Sequence, residues 1–257
     1  MKGKAMIKTV DIPAVQETVS LYADITYKNE EYWYNEVQRS LKMSLLMPKT
    51  WEKHKGEKRP LLVFFCGGAL QVVDNNVWIP ELMRYAKEGM IVASVEYRTV
   101  NDVPPKEAVC DAKAAIRYLK AHADRYLIDK DKVFVMGESA GAWVSEMVGL
   151  TAGRPEFEKG DFLNESSAVT GVIDIYGPAL GDKWELLNYV TEDAPPFLIL
   201  HGEEDKTVPV EHSEKLYEKL TECGVPVDFY RFAGCDHGVD NFFQQETEDI
   251  VLEFIRR

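Results

Sequence analysis

Four cysteines in 257 residues, Cys66, Cys110, Cys223 and Cys235, form no C-x-x-C pair and no zinc-type spacing. They are read as reduced thiols of a cytoplasmic protein, with no metal and no cofactor implied. Long apolar runs are missing as well, and none approaches the length that crosses a membrane. The start, Met1-Lys2-Gly3-Lys4, is basic, but no apolar stretch of the kind found in a secretory leader follows it. Positive charge is in short supply, with 30 Lys and Arg against 43 Asp and Glu and a net charge of −13. A surface of that sign repels phosphate backbones and anionic lipid, which excludes nucleic acid and membrane as expected partners. No internal repeat and no low-complexity stretch is visible. Histidine is limited to 5 residues, so any search for a general base is short.

What is present is an alternation. Residues 1–20 form a weakly patterned lead-in. Leu21 to Tyr27 and Ser40 to Met47 alternate as strands do, with a polar-then-aromatic loop, Asn29 to Tyr34, between them. From Pro60 onward short apolar runs alternate with stretches whose apolar residues fall three and four apart. The runs are Pro60 to Phe65, Met90 to Val95, Val133 to Met136, Val169 to Ile175, Phe197 to Leu200 and Val227 to Phe232. The helical faces are Ile79, Leu82, Met83 and Ala86; Ala112, Ile116, Leu119 and Ala123; Val144, Met147 and Val148; Leu216, Tyr217 and Leu220; and Ile250, Val251, Phe254 and Ile255. This pattern predicts a single α/β domain over 1–257. Its core is a mostly parallel, doubly wound sheet with helices on both faces and an antiparallel edge at the amino end. In such sheets ligands sit beyond the carboxyl ends of the strands, and the polar clusters of this chain fall there.

One of those ends is Gly137-Glu138-Ser139-Ala140-Gly141, which follows a strand and opens a helix. A serine hydroxyl that must stand exposed at a strand end needs a very sharp turn, and glycines two positions either side make room for it. Serine is a weak nucleophile and needs a base. Histidine suits neutral pH. His54 lies in a charged loop, His122 on a helix away from the strand ends, and His212 at the start of a helix. His201 ends a strand and is expected to bond locally. Only His237 both ends a strand, the last one, and leaves a strand-end carboxylate between Ser139 and itself. For the acid that orients the imidazole, Glu203, Glu204 and Asp205 compete, and spacing does not choose among them. Backbone donors for an oxyanion are expected from Ala140, after the serine, and from Gly67 and Gly68 in Cys66-Gly67-Gly68-Ala69 after the first buried strand.

These motifs together resemble the serine esterases of the α/β-hydrolase superfamily. The likeness is to compact bacterial carboxylesterases and acetyl-xylan-esterase-like proteins, with kinship to the hormone-sensitive-lipase-like group. Gly137 to Gly141 matches the elbow, and Asp236-His237-Gly238 resembles the segment with the catalytic histidine. His201-Gly202-Glu203-Glu204-Asp205-Lys206-Thr207-Val208-Pro209 resembles H-G-x-x-D-x-x-V-P, which implies Asp205 as the acid. Cys66-Gly67-Gly68-Ala69 departs from H-G-G-G but keeps both glycines. The resemblance implies an α/β-hydrolase fold and a carboxylesterase working through an acyl-serine with Ser139, Asp205 and His237.

The possible lid segments, about 151–168 and 179–195, are short, so a minimal cap and a small acyl group such as acetyl, on an aryl alcohol or a sugar, are expected. Trp78, Trp143 and Trp184 are candidates to stack on that alcohol, and Asp74, Asn75 and Asn76 to line it. The expected partner is a small-molecule ester, and a second copy of the chain stays open. Two other classes remain: a serine amidase, peptidase or arylformamidase with the same triad, and a non-catalytic small-molecule receptor on this fold.

Overall fold

The computed structural model describes residues 6–13, 15, 17–31, 38–49, 56–179 and 185–257. The aromatic loop at 32–34, the charged loop at 50–55 that holds His54, and Trp184 lie outside the described residues. In chain order the elements are β1 (Val19–Glu31), β2 (Gln38–Pro48), β3 (Arg59–Phe65), α1 (Ile79–Lys87), β4 (Ile91–Val95), α2 (Pro105–Ala121), α3 (Ala123–Tyr126), β5 (Ile128–Glu138), α4 (Ala140–Leu150), β6 (Gly171–Ile175), β7 (Phe197–Gly202), α5 (Glu211–Glu222), β8 (Val227–Phe232) and α6 (Gln245–Ile255). The strands form one sheet of eight in the order β1-β2-β4-β3-β5-β6-β7-β8. β1 with β2 and β2 with β4 are antiparallel, and every other pair is parallel.

The strand alternation decides the two cores. Along β3, Leu61, Val63 and Phe65 face one layer while Leu62 and Phe64 face the other; along β7, Phe197 and Ile199 oppose Leu198 and Leu200. Residues of α2, α4 and α5 cover the first face and residues of α1 and α6 the second. Each fully buried Leu, Ile or Phe contributes about 1.5–3 kcal/mol over an exposed one. Glycine ends α1 as its position predicts. Gly89, at φ 94°, donates to Ala86 O at 3.1 Å, and Met90 N reaches Tyr85 O at 3.3 Å, so the last carbonyls are satisfied by a left-handed cap. The same pair of bonds recurs around Gly224 at the end of α5.

The structure departs from the periodicity in three places. β5 starts at Ile128, ahead of Val133, because the register slips between Arg59 and Leu61 and the charged residues 129–132 are accommodated at the strand's outer end. The second long helix ends at Ala121 and a separate turn, α3, carries Ala123. Tyr217 is 38% exposed and leans on Phe229, so only Leu216 and Leu220 carry the inner face of α5.

Two buried ion clusters fix the periphery. Asp111 on α2 is fully buried and accepts from Lys28 Nζ at 2.8 Å and from Arg98 N, Nε and Nη2 at 3.1, 2.8 and 2.8 Å. It thereby ties β1 and the segment after β4 to α2. Glu158 accepts from Lys113 Nζ at 2.8 Å and from Arg117 Nη1 and Ser167 Oγ, both at 2.5 Å. Glu158 thus holds the 151–168 excursion against α2. Among the described residues no helix is long and apolar enough to cross a membrane, and no group of His, Cys, Asp and Glu is arranged to hold a metal.

Candidate active site

Ser139 stands between β5 and α4 with φ 54° and ψ −125°, a conformation that costs a residue with a side chain about 1–3 kcal/mol. The neighbours explain why glycine flanks it. A Cβ at Gly137 would lie 2.2 Å from Gly141 O, and one at Gly141 would lie 2.0 Å from Phe65 O. The turn closes only where both are absent. Ser139 N donates to Ile175 O at 2.9 Å, and Ser139 O accepts from Ala142 N and Trp143 N, so the strained residue is bonded on both sides.

Three strand ends converge here. The Ser139 hydroxyl donates to His237 Nε2 at 3.0 Å, and His237 Nδ1 donates to Asp205 Oδ2 at 2.7 Å. The carboxylate can only accept, which places the ring proton on Nδ1 and leaves the Nε2 lone pair facing the serine. The Asp205 side chain is fully buried. Its other oxygen, Oδ1, accepts from Thr207 N at 2.9 Å and Val208 N at 2.8 Å. Glu203 turns outward to Arg231 at 3.2 Å, and Glu204 is exposed. Asp236 is also outside the chain of bonds. It accepts from Lys206 N, Lys206 Nζ and His237 N, and these bonds hold its carboxyl well below the usual range.

His201 is fully buried behind this chain. Its Nε2 lies 2.8 Å from Val208 O and 3.3 Å from Asp205 Oδ2, and its Nδ1 lies 2.7 Å from Ser213 Oγ. A carbonyl accepts only, so Nε2 carries the hydrogen and braces the turn that presents Asp205.

The loop after β3 lies alongside. Gly68 has φ 124°, and a Cβ there would meet Val72 O at 2.2 Å. Among the described residues, Gly68 N and Ala140 N give no hydrogen bond to the protein, while Gly67 N donates to Glu138 Oε1. Cys66 is buried; burial pushes its thiol up to about 12, which keeps it protonated and unreactive.

The tryptophans separate. Trp78 is half-buried beside the elbow, donates Nε1 to Glu138 Oε1 at 3.2 Å and stacks on Phe243 with centroids 4.0 Å apart. Trp143 is 3% exposed and sits in the core under α4, packed among aliphatic residues. Asn75 and Asn76 are tied to the sheet through the Ser44 hydroxyl, at 3.4 and 2.7 Å.

Sequence reasoning passed over two residues. Glu138 is inside the motif, yet its carboxylate is an acceptor for another loop. Burial raises it above the ordinary carboxyl value, with the Gly67 and Trp78 bonds opposing. Tyr176, at φ 47°, is fully buried with its ring 4.6 Å from His237 and 4.6 Å from Phe242. The sequence signal for both was the same, a polar residue closing a buried strand.

The profile of the BD-FAE family matches residues 45–185 and 179–220, most of the chain, including Ser139 and Asp205. The chain belongs to the BD-FAE family. Among curated relatives of this BD-FAE protein, esterase LipC of Mycobacterium tuberculosis is 27% identical over 214 residues, which is 70% of this chain and 53% of LipC. Endo-1,4-beta-xylanase B of Butyrivibrio fibrisolvens is 26% identical over 215 residues, 72% of this chain and 34% of that enzyme. The BD-FAE chain thus spans about half the length, or less, of these relatives. Among solved structures, Thermogutta terrifontis esterase 2 phosphorylated by paraoxon superposes with a TM-score of 0.77 at 25% identity, covering 91% of this chain and 93% of that one. The eight-stranded sheet and its helices are therefore the α/β-hydrolase fold of those esterases.

Proposed function

We propose that this chain is a serine carboxylesterase acting on esters of short acyl groups, with Ser139, His237 and Asp205 as its triad. The observation that carries the reading is the unbroken chain of hydrogen bonds from the Ser139 hydroxyl through His237 to buried Asp205, at the end of a strained elbow. Ser139 Oγ attacks the ester carbonyl while His237 Nε2 takes its proton. Asp205 keeps the ring in the tautomer with Nδ1–H and stabilises the imidazolium that forms. Backbone N–H groups at the loop after β3 and at the start of α4 receive the tetrahedral oxyanion. His237 then protonates the leaving alcohol, and water, deprotonated by the same nitrogen, attacks the acyl-serine to release the acid.

Named relatives support the ester class, since LipC is an esterase and the Thermogutta enzyme is an esterase that paraoxon phosphorylates. The same enzyme binds propionate in a structure that superposes with a TM-score of 0.76 at 25% identity, which favours a short acyl group. The pinning of residues 151–168 against α2 by Glu158 favours a site without a bulky lid. The likeness to a region of a xylanase favours an alcohol that is part of a sugar, with Trp78 as the half-buried ring nearest the elbow.

The test is hydrolysis of p-nitrophenyl acetate through decanoate, acetylated xylo-oligosaccharides and the corresponding anilides, by the parent and by Ser139→Ala. Activity greatest on acetyl and propionyl esters, absent in Ser139→Ala and weak on anilides, is the expected result. Full activity in Ser139→Ala would refute the triad, and a rate that rises to decanoate would refute the short-acyl reading.

A further inference from the structure

We infer that Glu138 is a positioning residue: its carboxylate anchors the loop after β3 through Gly67 N–H, which leaves Gly68 and Ala140 as the two donors to the oxyanion. The inference rests on the esterase reading of Ser139 and assigns what holds that site in shape.

Three observations converge. Gly67 N–H donates to Glu138 Oε1, and a Cβ built on Gly67 would lie 2.6 and 2.7 Å from the two carboxylate oxygens, so the carboxylate lies directly over that residue. Trp78 donates to the same oxygen at 3.2 Å and is itself held by stacking on Phe243, from the segment that follows His237. Glu138 therefore joins the segments after β3, β5 and β8. The loop is also tied on either side of Gly67. Tyr97 OH donates to Cys66 O at 2.6 Å, and Gly68 O accepts from Gln71 N at 2.8 Å. Cys66 O, Gly67 N and Gly68 O are thus all engaged, and Gly68 N is left without a partner among the described residues.

Charge decides between anchor and donor. An N–H bonded to a carboxylate is in a charge-assisted bond, roughly twice as strong as a neutral one. To serve the oxyanion, Gly67 would have to release a full negative charge that is largely buried beside it, at the moment a second negative charge forms nearby. Gly68 and Ala140 need release nothing. Preorganisation of this kind is what makes such donors effective, since they do not reorganise during reaction.

The experiment uses the full chain with p-nitrophenyl acetate as probe, measuring kcat and KM separately, together with the rate of labelling by a fluorophosphonate. Glu138→Met fills the space but accepts no N–H bond. Glu138→Gln keeps an oxygen that can accept both bonds. The expected result is a fall in kcat of about tenfold or more in Glu138→Met, with KM within about threefold, because misplaced donors act on the transition state. Labelling slows in parallel, and Glu138→Gln recovers most of the lost kcat. Trp78→Phe, which removes one of the two bonds to Oε1, falls between.

Unchanged kcat in Glu138→Met overturns the inference while leaving the esterase reading standing. Equal losses in the Met and Gln variants also overturn it, since an oxygen that still accepts from Gly67 N and Trp78 Nε1 would then fail to restore the loop. If Glu138→Met does not fold, a loss of tenfold or more in Glu138→Gln overturns it alone, and a near-parental Gln variant with an intermediate Trp78→Phe supports it. A parent chain that neither hydrolyses the ester nor takes the label is a failure of the esterase reading itself.

Discussion

Replacing Asp205 by asparagine changes one atom, and the structure says which way the new group must sit. Asp205 Oδ1 accepts from two backbone donors, Thr207 N at 2.9 Å and Val208 N at 2.8 Å, while Oδ2 faces His237 Nδ1 at 2.7 Å and His201 Nε2 at 3.3 Å. An amide has one acceptor and one donor group. With its oxygen on the backbone pair, its NH2 points at His237 and donates to Nδ1, so the ring proton moves to Nε2. That nitrogen then faces the Ser139 hydroxyl with a hydrogen and cannot take its proton. With the amide reversed, His237 keeps the right tautomer but the buried Val208 N–H and the part-buried Thr207 N–H confront an NH2. Leaving a buried donor unsatisfied costs about 1–3 kcal/mol, so the reversed amide is worse by at least about that much. The inactive orientation wins. The expected loss is about 10³–10⁴ in kcat, or roughly 4–5.5 kcal/mol in the barrier. The assay is steady-state hydrolysis of p-nitrophenyl acetate, with thermal unfolding to show that the variant is folded. A folded Asp205→Asn variant that keeps more than about a tenth of the parental kcat would refute the reasoning.

Other outcomes follow from single contacts. Gly141→Ala puts a methyl 2.0 Å from Phe65 O and 2.6 Å from Phe65 C, both main-chain atoms. It should cost more than the 1–3 kcal/mol or so of ordinary overpacking, and a soluble variant melting within about 3 °C of the parent would count against the elbow geometry. Asp111→Ala strands Lys28 and Arg98, and Glu30 and Glu107 nearby relieve them only in part. Destabilisation of about 3 kcal/mol is expected, a fall in melting temperature of about 6–12 °C; no measurable shift would show the cluster to be dispensable. Glu146 is fully buried against the buried carboxyl of Asp174, and burial together with Asp174 raises it well above the ordinary value. A carboxyl raised in the folded state holds its proton more tightly there, so folded stability falls as pH climbs above the unfolded value, about 4.3, toward the raised one. Glu146→Gln cannot ionise, so its melting temperature should gain on the parent's between pH 5 and pH 8; a constant difference would contradict the assignment.

How much of this was legible beforehand depended on whether the information was local. Continuous apolar runs such as Leu61 to Phe65 announce a strand covered on both sides because successive residues face opposite layers and all of them are apolar. The antiparallel edge was legible for the same kind of reason, since no helical stretch intervenes between β1 and β2 to carry a crossover. The start of β5 was not legible, because residues 129–132 look like a loop and are strand only through pairing around Arg59. Glu138 shows the limit most directly. Its place in the motif is local, but its partners, Gly67 and Trp78, are brought to it by the two ends of the connection between β3 and α1, and no spacing encodes that meeting.

The choice among Glu203, Glu204 and Asp205 is a middle case, and the geometry shows what the chain encodes there. Glu203 N and Glu204 N are bonded to Phe232 O and Cys235 O, so the segment is laid along the β8 end before it turns. The turn itself is made by Asp205, whose short side chain reaches forward to the N–H groups two and three residues on while its second oxygen stays free for His237. A glutamate, one methylene longer, would overshoot that turn. The same geometry makes aspartate the residue that both builds the loop and holds the His237 ring, and a Glu at 205 would have to give up one task to perform the other.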